Sequence, residues 1–133
     1  MTENDQESGD RQRLVLADRV HHYAAPIELL FAALTVDQAK WLQLQPGEIE
    51  PTVLKTVPGK SVVWSSFWPA SPDDTIEFDL TSQGNETSIR FRWFTDSPPD
   101  ERGIGITRQR LNLKFGGDLR AIVSEYYWST HGR

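Results

Sequence analysis

Apolar and polar side chains alternate most regularly between residues 75 and 95. Ile76, Phe78 and Leu80 fall on one face of the first run, with Glu77 and Asp79 on the other. In the second run Ile89, Phe91 and Trp93 oppose Arg90 and Arg92. A period of two marks a half-buried strand. Gln83-Gly84-Asn85-Glu86 between the runs has the composition of a tight hairpin turn. Two paired strands are therefore predicted, acidic on one outward face and basic on its neighbour. Such charged cross-strand pairs contribute ~0.2–1 kcal/mol each, so they fix register more than they add stability.

The pattern is less regular before this hairpin. Residues 13–23 (RLVLADRVHHY) predict a first strand with Leu14, Leu16 and Val20 on one face and Asp18 interrupting it. Pro26 suits the first position of a helix carrying Ile27, Leu30, Phe31 and Leu34. Thr35 and Gln38 have capping-box spacing, which predicts a second short helix restarting at Val36 and ending before Pro46-Gly47. Residues 49–56 alternate, but Pro51 cannot donate to a ladder, so an edge or bulged strand is predicted. Val57-Pro58-Gly59-Lys60 reads as a type II turn. Residues 61–68 (SVVWSSFW) are apolar on both faces, as in a strand covered on both sides.

Beyond residue 95 the period changes to that of a helix. Ser97-Pro98-Pro99-Asp100-Glu101 predicts its start, with Ser97 as cap and Pro98 at the first position. Ile104, Leu111, Phe115, Leu119, Ile122 and Tyr126 form one stripe, with Arg108 filling the gap in the series. Gly116-Gly117 should weaken or kink it. The domain plan is then a disordered acidic tail over residues 1–12, one domain over 13–128, and a frayed tail over 129–133.

Composition narrows the classes. The chain has 133 residues, enough for one core, and a formal net charge of −5, which argues against nucleic acid as a partner. It contains no Cys, so disulfides and thiolate zinc sites are excluded. No stretch has signal-peptide character or the length of a membrane span. Cytoplasmic residence without membrane association is the default expectation, as a monomer or weak homodimer. Five Trp, six Phe and three Tyr are a heavy aromatic load, and large rings serve cores and apolar pockets alike.

The predicted order is β-α-α-β-β-β-β-α. With the segments APIELLFAALT, VPGKSVVWSSFW, DTIEFDLTSQGNETSIRFRWF and SPPDE, the chain resembles the SRPBCC superfamily of START-like, birch-pollen-allergen-like helix-grip domains. Its nearest look is to the branch named after the activator of Hsp90 ATPase. The resemblance spans residues 13 to about 125. It implies an α+β fold in which a curved antiparallel sheet of about five to six strands wraps around a long C-terminal helix, with a cavity for apolar molecules between them. An extra hairpin expected before Glu48 is missing, which implies a smaller sheet.

Three functions are open on these residues. The first is a non-enzymatic module binding a hydrophobic small molecule. Trp64, Trp68, Phe78, Phe91, Trp93 and Phe115 would line its pocket, and Arg108 and Asn112, which break the apolar stripe, would orient a polar ligand group. The same rings could equally fill a core, and Arg108 and Asn112 could snorkel to water. The second is a protein-interaction or chaperone-associated module with an exposed apolar patch. The third, a polyketide cyclase or aromatase-like enzyme, would need an ionisable group at a cavity floor, for which Asp18 or His22 are candidates.

No catalytic residue, metal site or cofactor site is predicted. His21 and His22 point to opposite faces of a strand and cannot easily share an ion. Asp73-Asp74 and Asp100-Glu101 lie beside prolines, where acids cap backbone N–H groups. Ser65-Ser66 lacks a nucleophile-elbow pattern and reads as small residues beside bulky ones. Gly103-Ile104-Gly105 and Gly116-Gly117 do not follow a strand in a βαβ unit, so they read as sites of close helix–sheet packing.

Overall fold

The structure, a computed structural model, describes residues 13–131, and side chains as far as residue 125. Its strands are β1 (Leu14–Tyr23), β2 (Val53–Val57), β3 (Ser61–Trp64), β4 (Thr75–Gln83) and β5 (Glu86–Thr95). They form one antiparallel sheet in the order β1-β5-β4-β3-β2. The first strand thus closes against the last, and β1 and β2 are the two edges. Helix α1 (Ile27–Leu34) follows β1. The C-terminal helix runs as α2 (Glu101–Leu113), a wide π turn (Lys114–Asp118) and α3 (Leu119–His131). The expected tail over residues 1–12 lies outside the described residues. At the other end the backbone stays helical past residue 129, where fraying was expected, to His131.

The β4–β5 hairpin forms as its alternation predicts. Ile76, Phe78, Leu80, Ile89, Phe91 and Trp93 are buried, and Gly84 supplies the turn at φ +68°. Glu77 lies opposite Arg92 and Asp79 opposite Arg90. Arg92 contacts Asp79 at 2.8 Å and Glu77 at 3.6 Å. The Val57–Lys60 turn is also as predicted: Gly59 has φ +69° and Lys60 N–H donates to the Val57 carbonyl at 2.9 Å. Strand β2 is an edge with a register shift between Val53 and Lys55, as Pro51 just before it suggested.

Several expectations are corrected. The inward face of β1 carries Ala17, Arg19, His21 and Tyr23, not Leu14 and Val20, which are about half exposed. A bulge between Val15 and Ala17 resets the register, and Asp18 turns outward to Arg90 at 2.7 Å. Strand β3 ends at Trp64, half the expected length. The chain turns there, where Ser65 Oγ accepts from Thr52 N–H and Ser66 Oγ bonds the Trp68 backbone.

Thr35 does not cap a second helix. Its hydroxyl donates back to the Phe31 carbonyl, and only a single 3-10 turn forms at Gln38–Lys40. The C-terminal helix starts at Glu101, not Pro98. Asp100 is the cap, accepting from Gly103 N–H at 2.8 Å, because Pro99 disfavours a helical conformation at Pro98. Lastly, the glycine pair makes a π turn, a more specific outcome than a kink.

Phe115 is the centre of the core. Its ring lies 4.8 Å from Phe91, 5.2 Å from Phe78, 5.9 Å from Trp64 and 6.1 Å from Trp41. Leu111, Phe115, Leu119 and Val123 are the buried stripe of the helix, as the spacing predicts for the first three. The last carbonyls of α1 are served by side chains. Trp64 Nε1 donates to Leu34 O at 2.7 Å and Trp41 Nε1 to Ala33 O at 2.8 Å. These indoles therefore seal a helix end as well as filling volume. Phe115→Ala is expected to cost about 3–5 kcal/mol in urea unfolding, because the surrounding rings belong to both layers and cannot collapse together. A loss under 1 kcal/mol would show that the core closes around the gap.

Candidate functional site

The helix does not lie flat on the sheet along its whole length. Between its N-terminal half and β1 runs a hollow of about 320 Å³ lined by Val15, Leu16, Ala17, Asp18, Arg19, Arg108 and Asn112. A second hollow of about 540 Å³, over Gly105, Arg108, Gln109, Asn112, Leu113, Gly116 and Gly117, shares Arg108 and Asn112 with the first. Together they make a trough along the helix. Arg108 spans it, with Nε donating to the Leu16 carbonyl.

His21 lies on the inward face of β1, behind Asn112 and Gly116, which border the trough. Its ring stacks on Phe91, with centroids 5.8 Å apart and planes 7° apart. Gly116 allows this approach, since a Cβ there would sit 3.2 Å from His21 Cε1. Burial holds the imidazole below its ordinary value of 6.5, and the Arg120 and Arg19 guanidiniums push it the same way. The Asn112 side chain lies near enough to oppose that shift but makes no well-formed hydrogen bond with the ring. His21 Nε2 and Asn112 Oδ1 are both buried without a partner among the described residues.

A different polar cluster sits on the opposite side of the helix. Lys114 Nζ contacts Glu48 Oε1 at 2.8 Å and donates to the Gln43 carbonyl at 2.8 Å, with the two side chains 2% and 0% exposed. Nζ also stands 5.2 Å over the Phe67 ring. Arg110 approaches Glu48 Oε2 at 3.9 Å, and Gln45 N–H donates to Oε1 at 2.8 Å. Each charge here is matched inside the fold. The cluster fastens the irregular segment before β2 to the helix, and its atoms face each other instead of open volume.

The residues predicted for a site thus divide. Trp64, Phe78, Phe91, Trp93 and Phe115 come together, each 1% exposed or less, as interlocked rings. Trp68 is half-buried beside them, 5.6 Å from both Phe67 and Trp93. Phe78 also borders a depression of about 430 Å³ over β2, β3 and β4. Arg108 and Asn112 are the predicted residues that border the trough.

Of the acid–base candidates, Asp18 is held by Arg90 through two bonds, at 2.8 and 2.7 Å, which keeps its carboxyl below the ordinary range. His22 is exposed, and its carbonyl accepts from Arg120 at 2.6 Å. The histidine that faces the helix is His21. Tyr23, buried two residues on, shares its face of β1, and no signal in the sequence marked that face as the covered one. Asp74 accepts from Trp93 Nε1 at 3.0 Å and Asp100 caps α2, both structural roles.

Five antiparallel strands around one C-terminal helix, with an α-helix between β1 and β2, make a helix-grip fold. Solved structures bear this out. CalU16 from Micromonospora echinospora superposes with a TM-score of 0.64 at 16% identity, over 80% of this chain and 72% of that one. The Aha1 dimer from Colwellia psychrerythraea gives 0.61 at 18% identity, over 80% and 96%. DynU16, described as a putative protein in the dynemicin biosynthetic locus, gives 0.61 at 15% identity, over 88% of this chain and 48% of that one. No family model matches the chain, and no curated protein matches its sequence. At these identities the likeness is one of fold.

Two outcomes test the site's electrostatics. Above pH 6.5 His21 is neutral folded or unfolded; below it the unfolded chain takes up a proton that the folded chain resists. Stability should therefore fall as pH drops from 6.5 through the depressed value, and His21→Phe should flatten that part of a urea-midpoint profile. An unchanged slope would mean that the imidazole is protonated freely in the fold. For the second cluster, Lys114→Met alone should cost about 3–5 kcal/mol by stranding the Glu48 charge, and adding Glu48→Leu should restore most of it. A double variant as unstable as the single one would show that packing, not charge, sets the loss.

Proposed function

We propose that the chain is a non-enzymatic small-molecule-binding module whose ligand lies along the C-terminal helix in the trough beside β1. Arg108 and Asn112 are its polar handle. The observation that carries this reading is the pair of buried, unpartnered atoms, His21 Nε2 and Asn112 Oδ1, beside a trough that shares Asn112. Leaving such atoms unbonded costs about 1–3 kcal/mol each. Both atoms are sealed from solvent, so a ligand recovers that cost only by displacing the Asn112 side chain from the His21 ring. Val15, Leu16 and Ala17 supply the apolar side.

Thermal-shift screening with hydrophobic metabolites tests it. A ligand at 100 times its dissociation constant should add about 2.7 kcal/mol of stability. Asn112→Leu, which removes one of the orphaned atoms, should abolish the shift while leaving the fold intact. If no compound class raised the melting temperature, or if Asn112→Leu left the shift untouched, the trough would not be the ligand seat.

A second reading, a protein-docking module of the Aha1 kind, is favoured by the open edge at β2. Leu54 is 56% exposed there and Val57 40%. A partner adding a strand to that edge would be lost on Leu54→Lys.

A further inference from the structure

The ligand's chemistry is legible from the charges around the trough, granted that the trough is the ligand seat. Arg19 and Arg108 both line it. Among the described residues neither lies within salt-bridge distance of a carboxylate, although the chain carries 19 acidic residues against 14 Lys and Arg. The one carboxylate in the lining, Asp18, is already neutralised by both of its bonds to Arg90. Arg108 is fixed to the β1 backbone through Nε alone, which leaves its terminal nitrogens without a partner among the described residues. Burial, and after it the Arg120 and Arg19 guanidiniums, disfavour a proton on His21, which adjoins Asn112. An acidic protein has therefore gathered uncompensated positive charge on one concave surface.

We infer that the trough takes an organic acid, its carboxylate held between the Arg19 and Arg108 guanidiniums and its apolar body lying on Val15, Leu16 and Ala17. A planar guanidinium presents paired donors at the spacing of a carboxylate's two oxygens, so the arginines suit that group better than a point charge would. The volume, about 320 Å³ beside β1, lies at the lower end of the range for small-molecule sites.

The test compares matched acids and amides. Decanoate and 1-naphthoate are titrated into the full chain beside decanamide and 1-naphthamide, with binding followed by calorimetry and by backbone NMR shifts at Ala17, Arg19 and Asn112. The acids should bind roughly ten- to a hundredfold more tightly than the amides, and more weakly as salt is raised. Arg19→Gln and Arg108→Gln should each erase most of that preference while leaving amide binding in place. Arg19→Lys should keep only part of it. Arg19 is exposed, so its variants should fold as the parent does, which circular dichroism confirms.

Equal binding of acids and amides with shifts in the trough would overturn the anion assignment and leave the binding module standing. Acid preference that survives both glutamine variants, or shifts that map elsewhere, would overturn it too. If none of the four compounds bound, this inference would fall, while the wider metabolite screen would still decide the trough's role.

Discussion

The hydrogen bond from the Tyr23 hydroxyl to the Phe115 carbonyl, 2.7 Å long and buried, is the contact on which the architecture turns. It joins the end of β1 to the widened turn of the helix. A π turn spaces its carbonyls away from the next turn's N–H groups, so such a turn persists where side chains serve those carbonyls. Tyr23 serves one, and Arg120 Nε serves the Gly116 carbonyl at 3.2 Å while its guanidinium covers the Tyr23 ring. Burial pushes the Tyr23 phenol up, well away from ionisation, so this donor is constant across any ordinary pH.

The same turn sets the helix's two faces. Phe115 drops into the aromatic core, and Lys114, next to it, reaches the opposite side to Glu48. The segment over residues 42–52 has no regular secondary structure, yet it is fixed because Lys114 binds the Gln43 carbonyl and the Glu48 carboxylate together. Gly116 then leaves a space that the His21 ring occupies. Core, loop anchor and trough wall therefore come from consecutive residues, and a shift of one position in the turn would misplace all three.

Much of the scaffold was legible in the sequence because it rests on periodicity and turn chemistry. The β4–β5 hairpin, the Gly59 and Gly84 turns, the edge character of β2 and the stripe from Leu111 to Leu119 follow from residue order alone. What misled was local chemistry overridden by tertiary contacts. Thr35 had a cap's spacing, but its hydroxyl found the Phe31 carbonyl first. Leu14 and Val20 suggested the buried face of β1, but a bulge and the Tyr23 bond turned the strand the other way. Of the trough's lining, Arg108 and Asn112 were legible in the sequence. Arg108 and Asn112 stand out as interruptions of an apolar stripe, whereas the role of His21 depends on which face of an edge strand is covered, and no periodicity over so few residues decides that.

Sheet width explains why the open volume lies beside the helix instead of beneath it. A helix-grip fold encloses a central cavity when its sheet is broad enough to curl away from the helix axis. Here the chain lacks a hairpin before Glu48, the sheet has five strands, and Phe115 with Trp64, Phe78 and Phe91 fills what bore remains. A filled centre removes the usual seat for an apolar ligand but stiffens the walls around it. One of the hollows that remain lies at the β1 edge, where Arg108 bridges the helix to the Leu16 carbonyl. A site at an edge is lined on one side by backbone and long polar side chains, not by rings. The polar lining of this edge is accordingly Asp18, Arg19, Arg108 and Asn112, with no aromatic ring among it.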